Sequence, residues 1–272
     1  MSLPSDKDNR HPEANDAMMS FGDHLEVLRQ MLFRILAVAG VLAVVVFCNK
    51  DITWQLLLAP SRCDFLTFRL IEDAMQAFGV SDFHFEEYHV DLISTELSSQ
   101  FMAHITTAVY LGLLGASPYV LYELFRFVSP ALYANERRYS GRIMVIVYLL
   151  FALGVALNYY VLFPISFRFL GTYSVSESIR ATITLDSYIE TFTALTLTMG
   201  IVFQLPILSF ALARFGLISS ALLSKYRRHA LVLIMIVAAT ITPPDVMTLI
   251  LVTIPLYMLY EISVVVVRKT EK

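Results

Sequence analysis

Charge is scarce in this chain. Asp, Glu, Lys and Arg make up 16% of its 272 residues, where a soluble domain carries about 25%. Hydrophobic residues make up 57% and the mean hydropathy is +0.65, which excludes an ordinary water-soluble domain. Cysteine is nearly absent. Cys48 and Cys63 form no C-x-x-C pair and no metal-ligand spacing, and they read as unpaired thiols. Catalytic signatures are missing too: there is no G-x-S-x-G elbow, no H-E-x-x-H helix and no glycine-rich phosphate loop. The nearest approach to a metal cluster is His84, Glu86, Glu87 and His89. Their spacing matches no standard ligand set and reads as a solvated acidic face. Residues 1–20 have no apolar core and carry four acids, so they are neither a signal nor a transit peptide and read as a disordered cytoplasmic tail. No internal repeat is visible.

What the chain does have is apolar runs on the scale of a bilayer crossing, which needs roughly 20 helical residues. The expected fold is an all-α integral membrane protein, one domain over 21–268 with six spans. These lie at about 31–48, 99–127, 143–163, 191–213, 230–242 and 246–267. Proline removes a backbone donor and clashes with the preceding turn. Pro118 is therefore expected to break the second span, Pro164 to stop the third, Pro206 to kink the fourth and the Pro243-Pro244 pair to stop the fifth. Pro60, Pro130 and Asp245 are further structural positions. The fifth run is only 13 residues, about 20 Å of helix against a core of about 30 Å. Short fifth and sixth helices are expected, with a re-entrant hairpin as the alternative.

Fifteen of the twenty lysines and arginines fall on one side of this arrangement. The positive-inside rule then puts both termini in the cytoplasm, with cytoplasmic loops at 128–142 and 214–229 and a short tail at 269–272. The outer loops are 49–98, which holds nine acids, and 164–190. Within the first, Trp54–Pro60 has an interfacial look, Phe68–Phe78 reads as a helix closed by Gly79, and Phe83–Val90 is more strand-like. Ala108, Gly112 and Ala116 form a small-residue stripe suited to close helix packing, within the chain or against a partner.

Polar groups in the spans carry the functional signal, because burying them in lipid is costly. Glu123 pairs with Arg126 or serves a partner. Glu190 suits a helix start. Glu261 is within reach of a basic tail residue. Gln204 sits mid-span, just before Pro206, with no such explanation.

Six stretches then form a set: HLEVLR (24–29), SPYVLYELFRFVSPALYANERR (117–138), FPISFRFL (163–170), FQLP (203–206), TPPD (242–245) and IPLYMLYEIS (254–263). In this order and spacing they resemble the TatC family, the multispanning receptor subunit of the twin-arginine protein translocase. The match runs from about Phe21 to Arg268. The resemblance implies a protein of the bacterial cytoplasmic membrane that binds twin-arginine signal peptides of folded proteins. It implies assembly with TatA- and TatB-type single-span partners and with further copies of itself. Transport would draw on the protonmotive force, with no enzymatic activity, cofactor or metal.

A guanidinium presents a planar fork that a carboxylate accepts in bidentate fashion, which lysine cannot reproduce. A receptor for two arginines therefore wants two acids at the cytoplasmic interface. By resemblance Glu136, the acid of the xERR sequence, is one, with Arg137 beside it and Phe127, Leu132 and Tyr133 as an apolar surface. The family's other acid directly precedes the Leu-Arg of HLxELR, ahead of Arg29. That position here is Val27, so Glu26 or Asp23 is expected to supply the carboxylate. Many relatives also carry glutamate where this chain has Gln204. Gln204, Pro206, Thr240 and Thr242 are the expected partner-helix contacts, with Gln204 acting as a polar docking point and not as a proton carrier. The alternative class is a secondary transporter of a small solute, for which midplane ionisable groups and inverted repeats are lacking.

Overall fold

The structure is a computed structural model that describes residues 21–79, 85, 88, 90–128, 140–174, 176 and 182–271. The chain is mostly helical. α1 runs Phe21–Cys48, α2 Lys50–Leu58, α3 Leu66–Ala77, α4 Ser99–Gly115, α5 Ser117–Val128, α6 Ser140–Leu157, α7 Phe163–Thr172, α8 Leu185–Val202, α9 Leu205–Arg214, α10 Ser220–Lys225, α11 Arg227–Ile241 and α12 Val246–Thr270. Two short strands, β1 (Leu92–Ile93) and β2 (Ile183–Thr184), pair in parallel and join the two outer loops.

Among the described residues, four stretches are long and apolar enough to cross a membrane: Leu25–Cys48, Ile143–Thr172, Leu185–Arg214 and Val246–Thr270. A fifth is the pair Ser99–Gly115 and Ser117–Phe127, bent by 55°. The bend falls where Pro118 withholds its amide from the preceding turn, as the sequence suggests. At Pro206 the helix likewise breaks, into α8 and α9 around the turn at Phe203-Gln204. The Pro243-Pro244 pair separates α11 from α12, and Asp245 caps α12 by accepting from the Thr248 amide at 2.6 Å. α11 has 15 residues, about 22 Å of helix, and is short as expected. α12 is not short. Its 25 residues run through Pro255 without a break, and their length of about 37 Å exceeds the hydrocarbon core.

Pro164 also departs from expectation. It does not stop its span. The helix widens to a π turn over Asn158–Leu162 and continues as α7, so the connection expected from 164 begins about Tyr173. The missing amide of Pro164 would have served the Tyr160 carbonyl one turn back. That carbonyl instead accepts from the Thr67 hydroxyl on α3. A donor from α3 therefore lets the proline sit inside a continuous span.

The connection between α1 and α4 is built onto the long helices. Tyr159 donates to the Leu56 carbonyl at 2.9 Å, Tyr188 to Leu57 at 2.7 Å and Tyr88 to Ser61 at 3.0 Å. Pro60 is buried in the turn after α2. The Arg168 guanidinium lies over the rings of Phe68, Phe85 and Tyr88, 4.4 Å from the Phe85 centroid, a cation–π site that holds α3 against α7. Burial pushes the Tyr88 hydroxyl up to about 12, against the opposing pull of Arg168. Gly79 closes α3 with φ +92, a backbone conformation open to glycine at no steric cost. The strand-like reading of Phe83–Val90 falls mainly outside the described residues. Phe163, Phe167, Tyr188 and Phe192 form the aromatic centre of the core, with Phe163 edge-on to Phe192 at 4.9 Å. In lipid such packing supplies the association that hydrophobic burial supplies in water.

Candidate functional site

The small-residue stripe on α4 meets α1. A Cβ added to Gly112 would lie 2.5 Å from the Ala43 nitrogen, and Ala108 and Ala116 are buried beside it. The stripe is thus packing within the chain. Further along the same interface, Arg34 of α1 pairs with Glu123 of α5 at 3.7 Å. Glu123 is buried and also accepts from Tyr119 at 2.9 Å. No ion pair joins it to Arg126. The two contacts, Ala43 with Gly112 and Arg34 with Glu123, set an antiparallel register. It puts the first turns of α1 on the same side of the Arg34–Glu123 contact as the end of α5.

Glu26 is exposed on the first turns of α1. It accepts from Arg29 at 3.1 Å and from Gln30 at 3.4 Å. Val27 is exposed beside it, so the position lacking an acid still faces outward. Asp23 lies on the same helix, with its side chain outside the description. Phe127 is half-buried at the end of α5. Pro130, Leu132, Tyr133, Glu136 and Arg137 lie outside the described residues, as do His84, Glu86, Glu87 and His89. No group of three or more His, Cys, Asp or Glu suited to a metal occurs among the described residues. Cys48 and Cys63 are both exposed, free thiols.

The second candidate region centres on Gln204. Its Nε2 donates to the Val147 carbonyl at 3.2 Å and to Gly200 at 3.4 Å. The amide therefore ties the α8–α9 break to α6, while Oε1 accepts no hydrogen bond among the described residues. Pro206 is buried. Thr240 is exposed on α11 and Thr242 buried after it, each hydroxyl bonding back to its own helix. Neither Thr240 nor Thr242 is joined to Gln204 by a hydrogen bond. Glu261 accepts from Arg227 at 2.9 Å and Tyr257 at 3.1 Å, so its partner comes from the start of α11 and not from the tail.

The arrangement holds an exposed acid near an apolar helix end, and its neutralising cation, Arg29, is an exposed side chain on the same surface. It has the chemistry of a recognition surface.

A family model described as "Sec-independent protein translocase protein (TatC)" matches residues 23–255. The chain belongs to the TatC family. A TatC protein from Blattabacterium sp. subsp. Periplaneta americana is 34% identical over 249 residues, spanning 90% of this chain and 94% of that one. TatCy of Bacillus subtilis is 32% identical over 191 residues, 69% of this chain and 75% of its own. The crystal structure titled "Twin Arginine Translocase Receptor- TatC" superposes with a TM-score of 0.72 at 26% identity, over 92% of this chain and all of that chain. This TatC-family chain is accordingly a membrane protein, a non-enzymatic component of a Sec-independent protein translocase, and a solute transporter is not favoured.

The Arg34–Glu123 pair is the functional-site feature that sequence reasoning missed. Its signal was present: two opposite charges, each stranded in an apolar span, in neighbouring antiparallel helices.

Proposed function

We propose that this protein is the receptor of a twin-arginine translocase, binding signal peptides at its cytoplasmic face and nucleating the translocation complex. It spans the bacterial cytoplasmic membrane six times, with α11 as the short fifth span and both termini in the cytoplasm. Two carboxylates take the paired arginines: Glu136, and Glu26 or Asp23 in place of the acid absent at Val27. The observation that carries this reading is the antiparallel α1–α5 register. It sets the start of α1, which bears Glu26, on the same side of the Arg34–Glu123 contact as the end of α5, from which the chain runs on toward Glu136. Arg29, already on Glu26, would be displaced by the incoming guanidinium, and Arg137 keeps Glu136 ionised. Phe127, Leu132 and Tyr133 supply an apolar bed for the signal peptide.

TatA- and TatB-type helices dock near Gln204, Pro206, Thr240 and Thr242, where Gln204 offers its Oε1 as a hydrogen-bond acceptor. The short α11 thins the bilayer locally, easing passage of a folded substrate, and the protonmotive force drives transport without any proton carried at Gln204. Lipid-thickness mapping around the complex should find that thinning; uniform thickness would remove it from the mechanism.

The deciding experiment is photo-crosslinking of a twin-arginine signal peptide to Glu136→Ala, Glu26→Ala, Asp23→Ala and the Glu26/Asp23 double variant. Binding should be lost with Glu136→Ala and with the double variant. Full binding by the double variant would end the two-carboxylate reading. Export of a reporter should fail when its arginines become lysines, and export of the lysine form would argue against recognition by paired carboxylates.

A further inference from the structure

An open groove runs between α6, α9 and α12, beside the Gln204–Pro206 turn. It holds about 630 Å³ and every lining side chain is apolar. It extends from Ile143, Phe210 and Val266 at one end to Leu157 and Pro255 at the other. Helix rise makes it about 17 Å long on α12 and about 21 Å on α6. One leaflet's hydrocarbon is about 15 Å deep, half of a core of about 30 Å. The groove is therefore one leaflet tall, and Met258 and Ile262 on its wall are exposed.

Its mouth is cationic. Arg214 ends α9 one turn beyond Phe210, and its guanidinium stacks over the Phe210 ring at 5.5 Å. Lys269 follows Val266 by three residues and Ile262 by seven, so the helical repeat puts it on the groove face of α12. Lys269 is exposed. Both cations stand at the same end, one from each wall. Its apolar length and basic mouth call together for an occupant with a hydrocarbon tail and a negative head.

We propose that this groove binds a phospholipid with an anionic headgroup, its acyl chain lying along α6, α9 and α12 and its phosphate held by Arg214 and Lys269. The basic mouth follows the general pattern of sites between spans that take anionic headgroups. The bound lipid would complete the surface that joins α9 to α12 and hold the two cytoplasmic helix ends together.

The test is native mass spectrometry of the purified full chain in detergent, titrated with phosphatidylglycerol or phosphatidylcholine of identical acyl chains. One adduct should form, favouring phosphatidylglycerol. Arg214→Gln and Lys269→Gln should each weaken that adduct about fivefold, the electrostatic worth of one cation near a headgroup, and leave phosphatidylcholine unaffected. Leu150→Trp, which fills the groove, should weaken both lipids. The charge variants lie at helix ends, and an unchanged elution profile confirms that they fold. Equal retention of the two lipids, or an anionic adduct indifferent to both charge changes, would overturn the proposal. So would a cysteine at Leu153 that crosslinks in native membranes to a protein segment instead of remaining lipid-accessible.

Discussion

Gly112→Ala is the sharpest perturbation available in the bundle. The new methyl would meet the Ala43 nitrogen at 2.5 Å, its Cα at 2.6 Å and its Cβ at 2.8 Å. Carbon atoms prefer about 3.5–4.0 Å, so α1 must retreat by roughly 1 Å. Two of the three atoms are backbone, and no rotamer change can relieve them. A gap of 0.5–1 Å forfeits about a quarter to a half of each contact's attraction, and that loss spreads over the α1–α4 seam. Overpacking of this kind costs about 1–3 kcal/mol, and a backbone clash belongs at the upper end, about 2–3 kcal/mol. The assay is denaturant unfolding in mixed micelles, alongside signal-peptide crosslinking. Stability should fall by that amount, and crosslinking should weaken because α1 carries Glu26. Ala43→Gly should rescue only partly, since it removes one of the three clashing atoms. Gly40→Ala is the control: nothing lies within 4 Å of its added methyl, and it should be neutral or mildly stabilising. A Gly112→Ala protein within about 0.5 kcal/mol of the parent, the size of an ordinary surface change, would refute the close approach.

Other outcomes follow from single contacts. Thr67→Val removes the donor to the Tyr160 carbonyl and should cost about 1–3 kcal/mol, the penalty of an unpaired buried acceptor; in a double-mutant cycle Pro164→Ala should recover part of it by restoring an amide, and strict additivity would show the two are unlinked. Gln204→Leu should weaken association with TatA- and TatB-type partners, read by co-purification, and intact export would count against a docking role. The Glu271 carboxylate, held below the ordinary 4.5 by the hydroxyl and amide of Ser220, ties the end of α12 to α10. Because its folded value is depressed, the clamp's stability is present above the unfolded value and is lost as pH falls through the folded one. Hydrogen exchange at the Ser220 amide should therefore accelerate, beyond the intrinsic pH trend, only below the usual carboxylate range. Acceleration at neutral pH would assign the protection elsewhere.

Local rules account for much of what the sequence foretold. Pro118, Pro206 and Pro243-Pro244 break helices because a missing amide acts on its own turn, and Asp245 caps α12 through a residue three positions away. Apolar run length marked five of the crossing segments and a short helix at α11. These are effects whose cause and consequence lie within one or two turns of chain. The xERR sequence carrying Glu136 was likewise legible as a motif, as was the absence of an acid at Val27.

Where the outcome depended on a group far away in sequence, the sequence alone misled. Pro164 looked like a stop, yet the Thr67 hydroxyl, nearly a hundred residues earlier, takes over the carbonyl that the proline leaves. Glu123 and Glu261 were given neighbours as partners but take Arg34 and Arg227, because in lipid a buried charge is held by whichever opposite charge the packing brings to its depth. Sequence decided which segments are long and apolar enough to cross a membrane and that the chain breaks at Pro118, Pro206 and Pro243-Pro244, since run length and a missing amide act on a helix one segment at a time. Tertiary structure decided which face of α1 meets α4, which cation meets each buried acid, and that α6, α9 and α12 leave a groove between them, since these depend on side chains that only packing makes neighbours.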